Sequence, residues 1–215
     1  MSEPTTPTYH IEPIALSNES TVVAEYVPET AVRETSYQSE AALEQAFIAQ
    51  LQSQGYEYLP LVSEAALTAN LRRQLEAVNQ IAFSDAEWEQ FFKECITGAN
   101  EGIIEKTARI QEDYVQLLRR DDGSIKNIYL LDKQAIHNNR LQVINQYEAQ
   151  GAARANRYDV TILVNGLPLV HVELKRRGVD IREAFNQINR YQRDSFWAGR
   201  GCLTMCSCLS SATAH

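Results

Sequence analysis

The sequence predicts an α/β fold, a mixed central sheet flanked by helices with a helical elaboration inserted before the sheet's principal strands. Three observations predict it. Residues 158–164 and 167–175 alternate apolar with polar or small side chains on either side of Asn165-Gly166, the pattern of two strands joined by a turn. Four blocks between residues 38 and 112 repeat apolar side chains at helical spacing. A further helical pattern over about 181–196 follows the second strand and offers Ile181, Ala184, Phe185 and Ile188 to a sheet.

Taken in order, residues 1–34 hold four of the six prolines and many Thr, Ser and Glu, which predicts an extended N-terminal arm with short strands at Tyr9-His-Ile and Thr21-Val-Val-Ala-Glu-Tyr. Residues 35–200 then read as one domain, and 201–215 as an atypical tail. Helices are expected at about 38–53, 63–80, 84–97 and 101–112. Ser84-Asp-Ala-Glu87 is a capping box, in which hydroxyl and carboxylate each take a backbone N–H at the start of a helix. Trp88, Phe91 and Phe92 follow on one face of that helix, so they are core residues and not a base-stacking platform. Asp121-Asp-Gly-Ser124 is a turn, Ile125 to Leu131 the expected first strand of the sheet, and Leu141 to Glu148 the next. One face of the sheet is expected to be covered by helices and the other to lie open at the hairpin.

A chain of 215 residues that is 44% hydrophobic can bury the core of one compact domain. No run approaches the roughly 20 apolar residues of a membrane span, and Met1-Ser-Glu-Pro does not begin a secretion signal, so a cytoplasmic location is expected. A net charge of −8 excludes a protein that coats nucleic acid by bulk electrostatics. The charge is uneven, however. Between residues 140 and 200 there are ten Lys or Arg and six Asp or Glu, including Arg154, Arg157, Arg182 and Arg193, which suits phosphate contacts from one side of an acidic body.

That basic segment also holds Asp159 on one strand and Glu173-Leu-Lys175 on the next. Two carboxylates and a lysine are the set with which a metal-dependent nuclease surrounds a phosphodiester. The carboxylates hold Mg²⁺, and the ammonium steadies the attacking hydroxide or the charge growing on phosphorus. Glu173 and Lys175 are two apart in a strand and share a face with His171 and Leu169, while Val170, Val172 and Leu174 take the other. Whether Asp159 joins them depends on register. A two-residue Asn165-Gly166 loop alone would set Asp159 against Val172, on the valine face. A catalytic arrangement requires an odd loop, such as Asn165-Gly166-Leu167, or a bulge. Taken without context, the same residues make an ordinary amphipathic hairpin with a solvated charged face.

The order strand, turn, strand, helix adds context, and so do Gln187 and Tyr191, four apart on one face of the helix that follows. The run from Tyr158 to Lys175, together with Ala184-Phe-Asn-Gln-Ile-Asn-Arg-Tyr-Gln192, strongly resembles the N-terminal endonuclease domain of the restriction (R) subunit of type I restriction-modification enzymes. A weaker similarity extends back to Ser39-Glu-Ala-Ala-Leu-Glu-Gln-Ala-Phe-Ile48. The resemblance implies a restriction-endonuclease-like PD-(D/E)xK core with Asp159, Glu173 and Lys175 as catalytic residues. It implies that Asp159, Glu173 and the carbonyl of Leu174 bind Mg²⁺, with Glu44 reaching the ion through water; an exposed helical glutamate is the alternative for Glu44, and Glu40 ranks below it. Gln187 and Tyr191 match a motif that supports the site and its hold on DNA, with Arg176, Arg177 and Arg190 as further phosphate contacts. The implied partners are double-stranded DNA and the methyltransferase and specificity subunits.

No Gly-x-x-x-x-Gly-Lys-Ser/Thr phosphate loop is present, so ATP belongs to the motor of a full-length subunit and is not expected to bind this chain. Two alternatives remain at this point, a non-catalytic docking module of the restriction complex and a RecB-like repair nuclease. The tail reads differently from the rest. Cys202, Cys206, Cys208 and His215 lack zinc-site spacing, whereas suitable codons read one nucleotide out of phase yield a strand-like run similar to the family's next strand. That reading implies a frameshifted or truncated product whose tail replaces a native strand, leaving the sheet without an edge or patched by the tail.

Overall fold

The structure is a computed structural model that describes residues 9–16, 22–28, 39–61, 63–98, 103–149, 156–175 and 208–213. The arm forms β1 (Tyr9–Leu16) and β2 (Val22–Pro28), which pair antiparallel with each other. They belong to a unit of their own, Met1–Tyr37, distinct from the larger unit Gln38–Ala214.

In the larger unit α1 (Glu40–Ser53) is followed by β3 (Glu57–Tyr58), α2 (Glu64–Asn79), α3 (Asp85–Phe91) and α4 (Ile103–Gln111). These are the four expected helices, each opening close to its predicted start. Ser39, Ser63 and Ser84 cap the first three, each hydroxyl accepting a backbone N–H of the first turn. The Ser84/Glu87 capping box is present, and Glu87 also ties a distant loop by accepting from the Asp121 N–H at 2.9 Å and pairing with Arg120 at 2.9 Å. A π-helical turn, Phe92–Ile96, extends α3. Trp88, Phe91 and Phe92 pack with Phe83 as core aromatics, as their helical spacing predicts.

Next come β4 (Val115–Arg119), β5 (Ile125–Tyr129), β6 (Leu141–Ala149), β7 (Asn156–Val164), β8 (Leu167–Lys175) and β9 (Cys208–Thr213). The central sheet has the order β3-β6-β7-β8-β9. β7 runs antiparallel to both β6 and β8, while the edge strands β3 and β9 pair parallel with β6 and β8, so the sheet is mixed as predicted. The tail does patch the sheet, since β9 lies beside β8 from Cys208 to Thr213.

Three expectations are corrected. Ile125 to Leu131 is not the first strand of the central sheet; β5 pairs with β4, whose Val115-Gln-Leu-Leu-Arg119 the sequence reading passed over, in a separate hairpin turned at Gly123. Neither face of the central sheet is open. Ile48 and Leu51 of α1 pack on Val143, Val160, Val172 and Leu174, while Leu67, Leu71 and Leu75 of α2 pack with Ile144, Leu163 and Leu167 on the other side. The segment 63–112 is consequently no elaboration beside the core, because α2, Phe91, Ile96 and Ile110 belong to one buried cluster with the sheet.

The Asn165-Gly166 loop contains two residues, with Val164 opposite Leu167 and φ of 51° and 79° at Asn165 and Gly166, so the odd loop is not what the chain uses. The buried Asn165 side chain donates to the Leu130 carbonyl and to Asn139 Oδ1 and accepts from the Arg140 N–H. Gly166 lies so close to α2 that a β-carbon there would come within 2.6 Å of the Leu71 Cα.

Two outcomes follow from this packing. Gly166→Ala should lower stability by at least about 2 kcal/mol, the sum of a left-handed alanine and a backbone collision, and move the melting temperature down by roughly 4–8 °C in calorimetry. Glu87→Gln should destabilise at neutral pH by an amount that shrinks in acid. The hydrogen bonds from Ser84 and Asp121 hold the Glu87 carboxyl below its ordinary value. Its contribution is therefore present above the unfolded value of 4.5 and disappears as pH falls through the lower folded value. Urea unfolding of both proteins between pH 7 and pH 3 measures the difference, which should hold level down to the unfolded value of 4.5 and narrow below it.

Candidate active site

The two-residue loop alone would place Asp159 on the valine face, but β8 carries one extra residue. Leu163 pairs with Pro168 and Ile162 with Val170, which leaves Leu169 as a bulge. Beyond it Thr161 opposes His171 and Val160 opposes Val172, so Asp159 falls in step with Glu173. The bulge provides the shift that the sequence argument required. Thr161 and His171 share a buried 2.7 Å hydrogen bond on that face, while Val160 and Val172 pack on the other.

Glu173 and Lys175 meet as the two-residue spacing predicts, and the bulge brings Asp159 to them. Lys175 Nζ donates to Glu173 Oε1 at 2.5 Å, and Glu173 is only 4% exposed. Asp159 Oδ2 accepts the Leu174 N–H at 2.8 Å. The contact the structure gives Leu174 with Asp159 is thus through its N–H, on the same peptide stretch whose carbonyl the resemblance assigns to metal.

Burial governs the electrostatics. It pushes the Glu173 carboxyl up to about 7, the neighbouring Asp159 adding to the rise and the Lys175 hydrogen bond opposing it. Burial also raises Asp159; the Leu174 N–H and the Lys175 charge pull it back, and the charges of Glu44 and Glu40 push it further up. Lys175 loses solvation too, yet its bond to Glu173 and the surrounding carboxylates hold its ammonium above the ordinary lysine value. The site is a desolvated pair of acids braced by one cation.

Glu44 is no solvated surface acid. It occupies the apolar stripe of α1 with Leu43, Phe47, Ile48 and Leu51, is 6% exposed, and accepts from Asn145 Nδ2 at 2.6 Å and from Gln146 Nε2. Neither amide was singled out from the sequence. The available signal was an acid at a core position of an amphipathic helix, which demands polar partners. Gln187, Tyr191, Arg176, Arg177 and Arg190, the helix expected over 181–196 and the side chains of 202–215 lie outside the described residues.

Among the described residues no group of three or more His, Cys, Asp or Glu side chains is gathered as a ready metal cage. The residues nevertheless fit Mg²⁺, an ion usually held by one or two carboxylates and completed by water and substrate phosphate. Two adjacent carboxyls whose ionisation is disfavoured by burial and mutual repulsion are a donor set that a divalent cation relieves. In the absence of metal, Asp159→Asn should therefore raise the melting temperature measured in EDTA, because it removes a desolvated charge and keeps an acceptor for the Leu174 N–H. A lower melting temperature would show that the carboxylate pair stabilises the fold.

Residues 37–203 match the family described as Type I restriction enzyme R protein N terminus. The chain is 51% identical over 186 residues to the Type I restriction enzyme EcoprrI endonuclease subunit of Escherichia coli, covering 86% of this chain and 59% of that one. It is 42% identical over 165 residues to the SsaAORF53P endonuclease subunit of Staphylococcus saprophyticus, covering 74% of this chain and 17% of that one. The SauMSSORF170P endonuclease subunit of Staphylococcus aureus is 41% identical over 166 residues, 75% of this chain and 17% of its own. The chain thus spans 59% of the E. coli relative's length and 17% of the staphylococcal ones. No helix among the described residues is long and apolar enough to cross a membrane. With the strand register, the Glu173/Lys175 pair and these similarities in agreement, the chain belongs to the family of type I restriction enzyme R subunit N-terminal domains.

Proposed function

We propose that this domain is a metal-dependent endonuclease of PD-(D/E)xK type that hydrolyses phosphodiester bonds of double-stranded DNA, without sequence preference of its own, when DNA is delivered to it by an ATP-driven motor. The observation that supports this reading above others is the bulge at Leu169, which brings Asp159 into step with Glu173. An ordinary amphipathic hairpin has no need of that correction, nor of acids desolvated beside a lysine. A module kept only for docking has no use for the three side chains together.

In this reading Asp159 and Glu173 hold Mg²⁺, with the Leu174 carbonyl as a further ligand and Glu44 acting through water. When bound, the ion supplies Lewis-acid polarisation of a phosphoryl oxygen and an activated water at neutral pH. Lys175 binds a non-bridging phosphate oxygen or the incoming nucleophile, and its ammonium offsets charge that develops in the transition state. Its bond to Glu173 keeps it within reach before DNA arrives. Gln187, Tyr191, Arg176, Arg177 and Arg190 hold the DNA backbone. In the whole enzyme the methyltransferase and specificity subunits choose the site, and the domain's own hold on DNA is weak because the chain carries a net charge of −8.

The test is an assembled restriction enzyme carrying Asp159→Ala, Glu173→Ala or Lys175→Ala. Each should lower DNA cleavage by a hundredfold or more, on the order of removing one transition-state donor, while ATP hydrolysis and translocation continue. Mg²⁺ affinity should fall with the first two and little with the third, since an ammonium cannot ligate a cation. Cleavage retained in any two of the three would overturn the assignment in favour of a docking role.

A further inference from the structure

We propose that Asn145 and Gln146 are positioning residues that clamp Glu44 beside Asp159, a role that rests on the nuclease reading above. Gln146 is in the middle of β6 with φ of 53°, a left-handed conformation that side chains with a β-carbon adopt only under constraint. It sits between the Asn145–Val160 and Tyr147–Tyr158 pairs, and so across the ladder from Asp159. Consecutive strand residues normally point to opposite faces. Here Asn145 and Gln146 both donate to Glu44, one to each carboxylate oxygen, and Tyr147 then turns into the opposite cluster with Ile144 and Leu163. The left-handed residue is what allows two successive amides to grip one carboxylate.

The direction of the grip is determined. Tyr58 donates its hydroxyl to Asn145 Oδ1 at 2.8 Å, which leaves the amide nitrogen of Asn145 facing Glu44. Amides are neutral donors. They satisfy a buried carboxylate without cancelling its charge, as a lysine would, and each oxygen keeps a lone pair for a water molecule. Glu44 therefore keeps acceptor capacity while gripped by a residue that lies across the ladder from Asp159. A carboxylate needed only for packing on the Leu43, Phe47 and Ile48 stripe would be better replaced by an apolar side chain, and its partner strand would not need a strained residue.

The test measures Mn²⁺ affinity of the full chain by calorimetry, with melting temperature in EDTA as the readout of folding. Gln146→Gly keeps the backbone conformation, which glycine adopts without strain, and removes the amide. It should melt within about 5 °C of the natural chain, because relief of the left-handed strain offsets much of the lost hydrogen bond, yet bind Mn²⁺ about three- to tenfold more weakly, at the low end of the losses seen when partners of metal ligands are removed. Asn145→Ala should weaken binding similarly. Glu44→Gln combined with Gln146→Gly should bind no more weakly than Glu44→Gln alone, as expected if Gln146 acts through Glu44. Natural affinity in Gln146→Gly, or losses that multiply in the double variant, would overturn the clamp. Asp159→Asn separates the two ideas. If it abolishes binding while Gln146→Gly does not change it, the clamp alone fails; if it leaves binding intact, the nuclease reading fails and the clamp with it.

Discussion

The Asn165-Gly166 turn is the constraint on which the rest of the structure depends. Its two left-handed residues close β7 onto β8, and the Asn165 side chain makes three bonds to two separate segments, Leu130 just past β5 and Asn139-Arg140 in the loop that enters β6. Gly166 abuts the α2 backbone at Leu71, so α2, the turn and the hairpin are seated together. A turn anchored in this way leaves no freedom in loop length. Register can then be altered only within the strands, and Leu169 is where the chain alters it. The turn and the bulge act in opposition, and their combination decides that Asp159 faces Glu173 instead of Val172.

Once that register is set, packing on both faces maintains an arrangement that electrostatics opposes. Val143, Val160 and Val172 are held by α1, and Ile144 and Leu163 by α2, so the strands cannot slip without exposing two cores. Against that support the site accepts costs: Glu173 is nearly buried, Asp159 lies beside it, and Gln146 is left-handed within a strand. Desolvated charge and backbone strain of this kind persist only where the surrounding fold can bear their cost. Lys175 partly compensates the acids, and a cation would compensate them further.

The sheet also explains how the domain can tolerate its unusual end. β9 pairs parallel with β8 along the strand that carries Glu173 and Lys175, covering what would otherwise be an exposed edge. Backbone hydrogen bonds make no demand on side-chain identity, so a segment unlike the rest of the chain in composition can still complete the ladder.

Much was legible from the sequence because it rests on local periodicity. The four helices follow from their apolar spacing, the Ser84/Glu87 box from capping chemistry, the hairpin from Asn165-Gly166, and the shared face of Glu173 and Lys175 from the two-residue period of a strand. The family, too, was legible in the run from Tyr158 to Lys175. What only the tertiary structure decided is non-local. β4 and β5 leave the central sheet because their partner is each other, and α2 joins the main core because the turn rests on it. The bulge at Leu169 replaces an odd loop because the Asn165 side chain pins the tight turn to residues 26 and 35 positions away. Glu44 is buried because a strand 101 residues further on supplies amide donors for it. Local spacing shows which side chains can share a face; which faces meet is decided by contacts between distant segments, and those no single segment encodes.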